Sequence, residues 1–141
     1  MTGGGPAVHR TKGEPTWQGS IGSAGAVAFG DLVVVAGTTA WVDGAVREEG
    51  DPYGQTVEAF RLAVAALEPF GAGLEDVVRT RMYITHARDA EAVGRAHRDV
   101  FGDVRPAATV VGVSGLIDSR MLVEVEIEAY RPGRAGRTDQ E

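Results

Sequence analysis

The chain has 141 residues, 43% of them hydrophobic and 24% charged, which suits one globular domain with a real core. Its formal net charge is −6 and its arginines are scattered, so the basic stripe that phosphate binding needs is missing and no nucleic-acid partner is expected. With no cysteine, disulfides, thiolate catalysis and cysteine-ligated metals are excluded.

Met1–Lys12 lacks an apolar core, so no signal peptide is expected. No apolar run approaches the ~20 residues of a membrane helix, and a cytoplasmic protein with no membrane partner is the expectation. Residues 1–15 hold Gly3, Gly4, Gly5 and two prolines and read as a flexible arm. Residues 132–141 read the same way, which leaves 16–131 as the domain.

Ala26–Phe29, Gly30-Asp31 and Leu32–Gly37 read as two strands joined by a tight turn. The run Val33, Val34, Val35 suits a strand buried on both faces. Asp43-Gly44, between Trp41-Val42 and Ala45-Val46, marks a second turn. From Asp51 to Phe70, Tyr53, Val57, Phe60, Val64 and Leu67 recur at helical spacing. Asp51 is the expected N-cap, Pro52 the first helical residue, and Gly71 and Gly73 the stop.

Val77–Thr85 alternates as a strand, with Val78, Thr80, Met82 and Ile84 on one face and Val77, Arg79, Arg81 and Tyr83 on the other. Ala90–Phe101 reads as a second helix, with Val93, Ala96, His97, Val100 and Phe101 on its apolar side; Gly102 and the turn through Pro106 end it. Ala107–Val113 is a β-branched strand. In Met121–Tyr130 an apolar face opposes Glu124, Glu126 and Glu128. Two helices cover one face of such a sheet, so the other faces solvent or a partner chain.

These segments together resemble the RidA/YjgF family over roughly Ile21 to Tyr130. The similarity lies in Val34-Val35-Ala36-Gly37-Thr38, in Val78–Thr85 with Ala90–Phe101, in the Arg105-Pro106-Ala107 turn, and in Leu122-Val123-Glu124-Val125-Glu126. The resemblance implies an α+β, chorismate-mutase-like single domain: a mixed sheet with two helices on one face, trimerising. It implies a homotrimer with small-molecule clefts between subunits, no metal and no organic cofactor. The activity it implies is water attack on reactive enamines and imines, releasing ammonia and a keto acid. Such proteins are also called endoribonucleases, a reading that this acidic chain does not favour.

Carried over residue by residue, the resemblance places the water-orienting glutamate at Glu124. Glu126 and Glu128 share its face, so the register stays open by two residues. Pairing of these carboxylates with Arg79 and Arg81 is an equal alternative if the strands are neighbours. A solvated face on an edge strand is another. At the position of the family's carboxylate-gripping arginine stands Ala108, and Arg105 precedes the Pro106 turn and would point elsewhere. The helix asparagine is matched by Gly94, the serine before the glycine by Ala36, and the cross-interface tyrosine falls near Ser23. The substrate-binding candidates are Gly37, Thr38, Ala108, Thr109 and Gly94, with Gly37 and Thr109 able to cradle a substrate through backbone N–H groups. Gly37 serves equally well as a site of close strand packing.

His9, His86 and His97 have no metal-ligand spacing, and His97 is better read as a packed histidine. Ser114-Gly115 lacks a nucleophile elbow, and Gly3-Gly4-Gly5 is no phosphate loop. Trp41 is read as a core or interface residue before a pocket residue. The expected function is a Rid-type hydrolase or deaminase with altered substrate choice. The alternative is a non-catalytic ligand-binding or regulatory trimer, and a specialised biosynthetic enzyme is a weaker third.

Overall fold

The computed structural model describes residues 8–11 and 18–133; Gly3, Gly4, Gly5 and most of the two expected terminal arms lie outside them. The elements run β1 Val8–Arg10, α1 Gln18–Ile21, β2 Ala26–Phe29, β3 Leu32–Thr38, β4 Trp41–Val42, β5 Ala45–Val46, α2 Pro52–Ala65, β6 Val77–Ile84, α3 Ala90–Phe101, β7 Ala107–Gly112 and β8 Val123–Tyr130. Among the described residues six strands form one sheet in the order β1-β2-β3-β8-β6-β7, and only β6 and β7 pair in parallel, because α3 carries the chain back between them. The fold is the expected α+β single domain with a mixed sheet and two main helices. β1 was not anticipated: Val8–Arg10 lies within the stretch read as an arm, yet pairs antiparallel with β2. α1 was not anticipated either.

Alternation sorts the sheet into two faces. Ala26, Ala28, Val33, Val35, Thr80, Met82, Ile84, Val123, Val125, Ile127 and Ala129 are buried under α2 and α3. Val27, Val34, Arg79, Arg81, Tyr83, Glu124, Glu126 and Glu128 take the other, open face. The expectation of a strand buried on both faces at Val33–Val35 is therefore corrected: Val33 and Val35 are buried, while Val34 is only partly covered. β8 lies between β3 and β6, so it is a central strand and the edge-strand reading of its glutamates does not hold.

Asp51 caps α2 as expected, its Oδ1 accepting from the Gly54 N–H at 2.9 Å. The helix ends at Ala65, short of the expected Phe70, with a separate tight turn over Glu68–Phe70. Pro69 is the reason: its ring crowds the preceding turn and it has no N–H to donate. The deepest face of α2 is Gln55, Thr56, Ala59, Phe60 and Ala63, turned slightly from the expected valine stripe. Ala59 and Ala63 let the helix sit close on the sheet, and Val57 and Val64 line a groove toward Val100 of α3. Phe60 packs edge-on against His97 and Phe101, with ring centroids 5.5 and 5.0 Å away.

Candidate functional site

The site is built where β3 meets the start of β8. Val35 pairs with Ile127 and Thr38 with Val125, so β3 uses three steps where β8 uses two. The extra residue makes a bulge at Ala36-Gly37, a device that opens a ladder and re-aims its side chains. Gly37 meets the Glu124 carboxylate: a Cβ there would collide with Glu124 Oε2 and lie 2.9 Å from its Cδ. The absent side chain at position 37 is what allows the carboxylate to sit over the bulge.

The three glutamates of β8 have different fates. Tyr83 Oη donates to Glu126 Oε1 at 2.8 Å. Arg81 Nη1 donates to Glu128 Oε2 at 3.1 Å and lies 3.8 Å from Glu126 Oε1. The pairing alternative thus holds for Glu126 and Glu128 through Arg81, while Arg79 bonds Thr109 instead. Glu124, opposite Tyr83 in the ladder, has no ion pair or side-chain hydrogen bond among the described residues. It is half-buried, and that burial, reinforced by the charge of Glu126, raises its pKa above the ordinary glutamate value. Desolvation without a compensating cation makes a carboxyl that takes up a proton more readily than its neighbours.

The remaining candidates divide. Thr38 adjoins the bulge, but its hydroxyl donates to its own strand at Ala36 O, 2.8 Å away. Thr109 lies on the open face of β7 opposite Arg81, and its Oγ1 accepts from Arg79 Nη2 at 2.9 Å. Ala108 is opposite Thr80 and presents an exposed methyl on the edge strand. Gly94 is exposed on α3, in the layer on the far side of the sheet from Glu124. The chain therefore brings Gly37 and Glu124 together; Thr38, level with the buried Val125, lies on the opposite face from Glu124, Thr109 is two strands away on the open face, and Ala108 and Gly94 are on the helix side of the sheet.

His97 packs under α2 with Nε2 2.9 Å from Thr80 Oγ1, and burial lowers its pKa. Among the described residues no group of three or more His, Asp or Glu is arranged to hold a metal ion, and no helix is long and apolar enough to cross a membrane. Sequence reasoning passed over Gln55, which is fully buried and bonds to both Arg120 O and the Leu122 N–H. Its signal was a long polar side chain next to the apolar stripe of a helix.

Comparison with known proteins agrees with this architecture. The profile of the family described as Endoribonuclease L-PSP matches residues 22–131. An uncharacterized protein of Streptomyces coelicolor is 54% identical over 125 residues, covering 89% of this chain and 93% of its own. A 2-iminobutanoate/2-iminopropanoate deaminase of Dermatophagoides farinae is 30% identical over 108 residues, covering 72% of this chain and 79% of its own. Among solved structures, a YjgF-family member from Mycobacterium tuberculosis superposes with a TM-score of 0.78 at 39% identity, covering 88% of this chain and 99% of that one. The protein is thus an α+β domain with a bulged strand beside a half-buried carboxyl. It belongs to the RidA/YjgF family, the family of the L-PSP profile.

Proposed function

We propose that the chain is a small-molecule hydrolase of the deaminase type, acting on an imine, an enamine or a related reactive metabolite. The observation that carries this reading is the Glu124 carboxylate, half-buried without a cation and seated over the Gly37 bulge. Water attacks the carbon of the protonated C=N while Glu124 takes one of its protons, giving a neutral carbinolamine. The Glu124 carboxyl then returns that proton to the amine nitrogen. The carboxylate takes the hydroxyl proton as the C–N bond breaks to the C=O and passes it to solvent, so protonated imine and water become carbonyl compound, ammonia and a proton. Gly37, Thr38 and Thr109 offer groups for holding the substrate. Ala108 offers no charge, so the substrate is one without a carboxylate at the position the family's arginine would grip. The working unit is a cytoplasmic homotrimer with clefts between subunits, in which Ala108, Thr109 and Gly94 of a neighbour complete the site.

The test is imine hydrolysis by purified protein, with an amine oxidase generating imines that carry no carboxylate, an amino-acid oxidase generating 2-imino acids for comparison, and semicarbazide trapping what is not hydrolysed. Wild type clearing the carboxylate-free imine while Glu124→Gln does not is the expected result. Full activity in Glu124→Gln would remove Glu124 from the mechanism. Ala108 and Gly94, standing where an arginine and an asparagine are expected, favour a second reading: a trimer that binds a ligand without turning it over. Inert wild type with activity gained by Ala108→Arg would show a competent pocket meant for a different substrate. Inertness of every variant, with a ligand recovered unchanged, would favour the second reading.

A further inference from the structure

Glu124 is the second residue of β8, and the segment from Val113 to Leu122 before it has no strand of its own. Strand ends fray unless something beyond the ladder holds them. Here a buried side chain joins one backbone bond in doing so. Gln55 of α2 is fully buried, and its Oε1 accepts from the Leu122 N–H at 2.8 Å. Its Nε2 donates to Arg120 O at 2.9 Å. The Leu122 carbonyl accepts in turn from the Thr85 N–H at 3.2 Å, so the residue two before Glu124 is held from both sides.

The same amide reaches the other half of the site. Gln55 Nε2 also donates to Glu48 O at 3.3 Å. Glu48 has φ 54°, a left-handed conformation that a non-glycine residue keeps only when its surroundings hold it. It ends the segment that leaves the Gly37 bulge, passes through the β4–β5 hairpin and is closed by the Arg47 N–H donating to Ala40 O at 2.8 Å. One buried amide, with both donors and its acceptor engaged, therefore pins the chain downstream of Gly37 and the chain upstream of Glu124.

We infer that Gln55 is a positioning residue: it fixes the start of β8 so that the Glu124 carboxylate lies over Gly37. Its meaning for catalysis rests on Glu124 being the proton-transfer group. Its meaning for geometry does not.

The experiment follows the carboxyl-carbon NMR titration of Glu124 in wild type, Gln55→Met, Gln55→Asn and Tyr53→Phe, alongside imine hydrolysis. Met fills the space of Gln without its bonds, and Asn keeps the amide but falls short of Leu122. Tyr53 lies two residues from Gln55 on α2, and Tyr53→Phe removes its 2.6 Å hydrogen bond to Asp99 of α3 and reports destabilisation alone. In both Gln55 variants the Glu124 midpoint falls toward the ordinary glutamate value of about 4.3 as the carboxyl swings out to water. Turnover falls by about tenfold or more with KM changed little, the pattern of a lost transition-state alignment. Tyr53→Phe lowers the melting temperature and leaves the Glu124 midpoint where it was. A folded Gln55→Met or Gln55→Asn protein with an unmoved Glu124 midpoint overturns the inference. Should Gln55→Met fail to fold, Gln55→Asn carries the same readings. Full activity in Glu124→Gln with a shifted midpoint in the Gln55 variants would sink the catalytic reading and leave the positioning role standing.

Discussion

At Gly37 the chemistry depends on an atom that is not there. Adding a methyl group puts a Cβ into the Glu124 carboxylate, and Gly37 is not held at a positive φ, so the backbone itself tolerates alanine. Something must give, and the flexible end of Glu124 gives more easily than two paired strands. Gly37→Ala is therefore expected to fold, with a penalty of about 1–3 kcal/mol at most. It should lose imine hydrolysis nearly as fully as Glu124→Gln, in a side-by-side rate measurement. Glu124 also carries a stability signature. Burial raises its folded pKa, so the folded state holds its proton more tightly than the unfolded chain does. For an acid shifted in this direction, stability falls as pH rises from the unfolded value through the folded one, and the charged form at neutral pH is a burden. Glu124→Gln is expected to melt higher than wild type at pH 7. The gap should close as pH falls below the unfolded value of about 4.3. Thermal melts at several pH values check this, and a variant less stable than wild type at pH 7 would mean that Glu124 is paired after all.

At the scale of elements, local signals were readable and distant meetings were not. Asp51-Pro52 announced the start of α2, and alternation in Met121–Tyr130 and from Arg79 onward announced β8 and β6; Val77 is buried and Val78 exposed, the reverse of their expected faces, because the pairing with β8 shifts register between Val77 and Arg79. Pro69 also had a local signal, but the apolar spacing carried the expected helix past it. The Gly37–Glu124 contact had no local signal at all, because it arises from the pairing of β3 with β8 and from the bulge within that pairing. The same holds for the division of labour among the three glutamates, which depends on Arg81 and Tyr83 in the adjacent strand. The packing of α2 on α3 is the element-scale feature most open to test. Phe60 is fully buried against two aromatic rings, so Phe60→Ala is expected to cost about 3–5 kcal/mol in urea denaturation. His97 adds a pH dependence to that interface. Its folded pKa is lowered by burial, so its contribution is complete above the unfolded value of about 6.5 and is lost as pH falls from there through the folded value. His97→Gln should flatten that part of the acid limb relative to wild type. An unchanged limb would mean that His97 stays neutral or titrates freely.

At the scale of the molecule, the open sheet face asks for a cover. Val8, Phe29, Leu32 and Tyr130 stand opposite one another across four strands at one end of it, and all are exposed. Val27 and Val34 continue the apolar surface toward the Arg81, Glu126 and Glu128 cluster, around a cavity of about 290 Å³. A lone domain rarely leaves such a row to water, and a closed assembly of identical chains would cover it. The proposed site makes the same demand from another direction, because Ala108 and Gly94 lie on the helix side of the sheet and Thr109 two strands from β8, with none of them beside Glu124. Sedimentation equilibrium should give three chains for wild type, and Leu32→Glu, which sets a carboxylate between Phe29 and Tyr130, should give smaller species. Imine hydrolysis should fall with the trimer fraction, though position 32 is remote from Glu124 along the sheet. A Leu32→Glu protein that is monomeric and fully active would place the whole site within one chain. A wild type that sediments as a single chain would remove the clefts between subunits from the proposal, and leave the apolar row to be covered by a different partner.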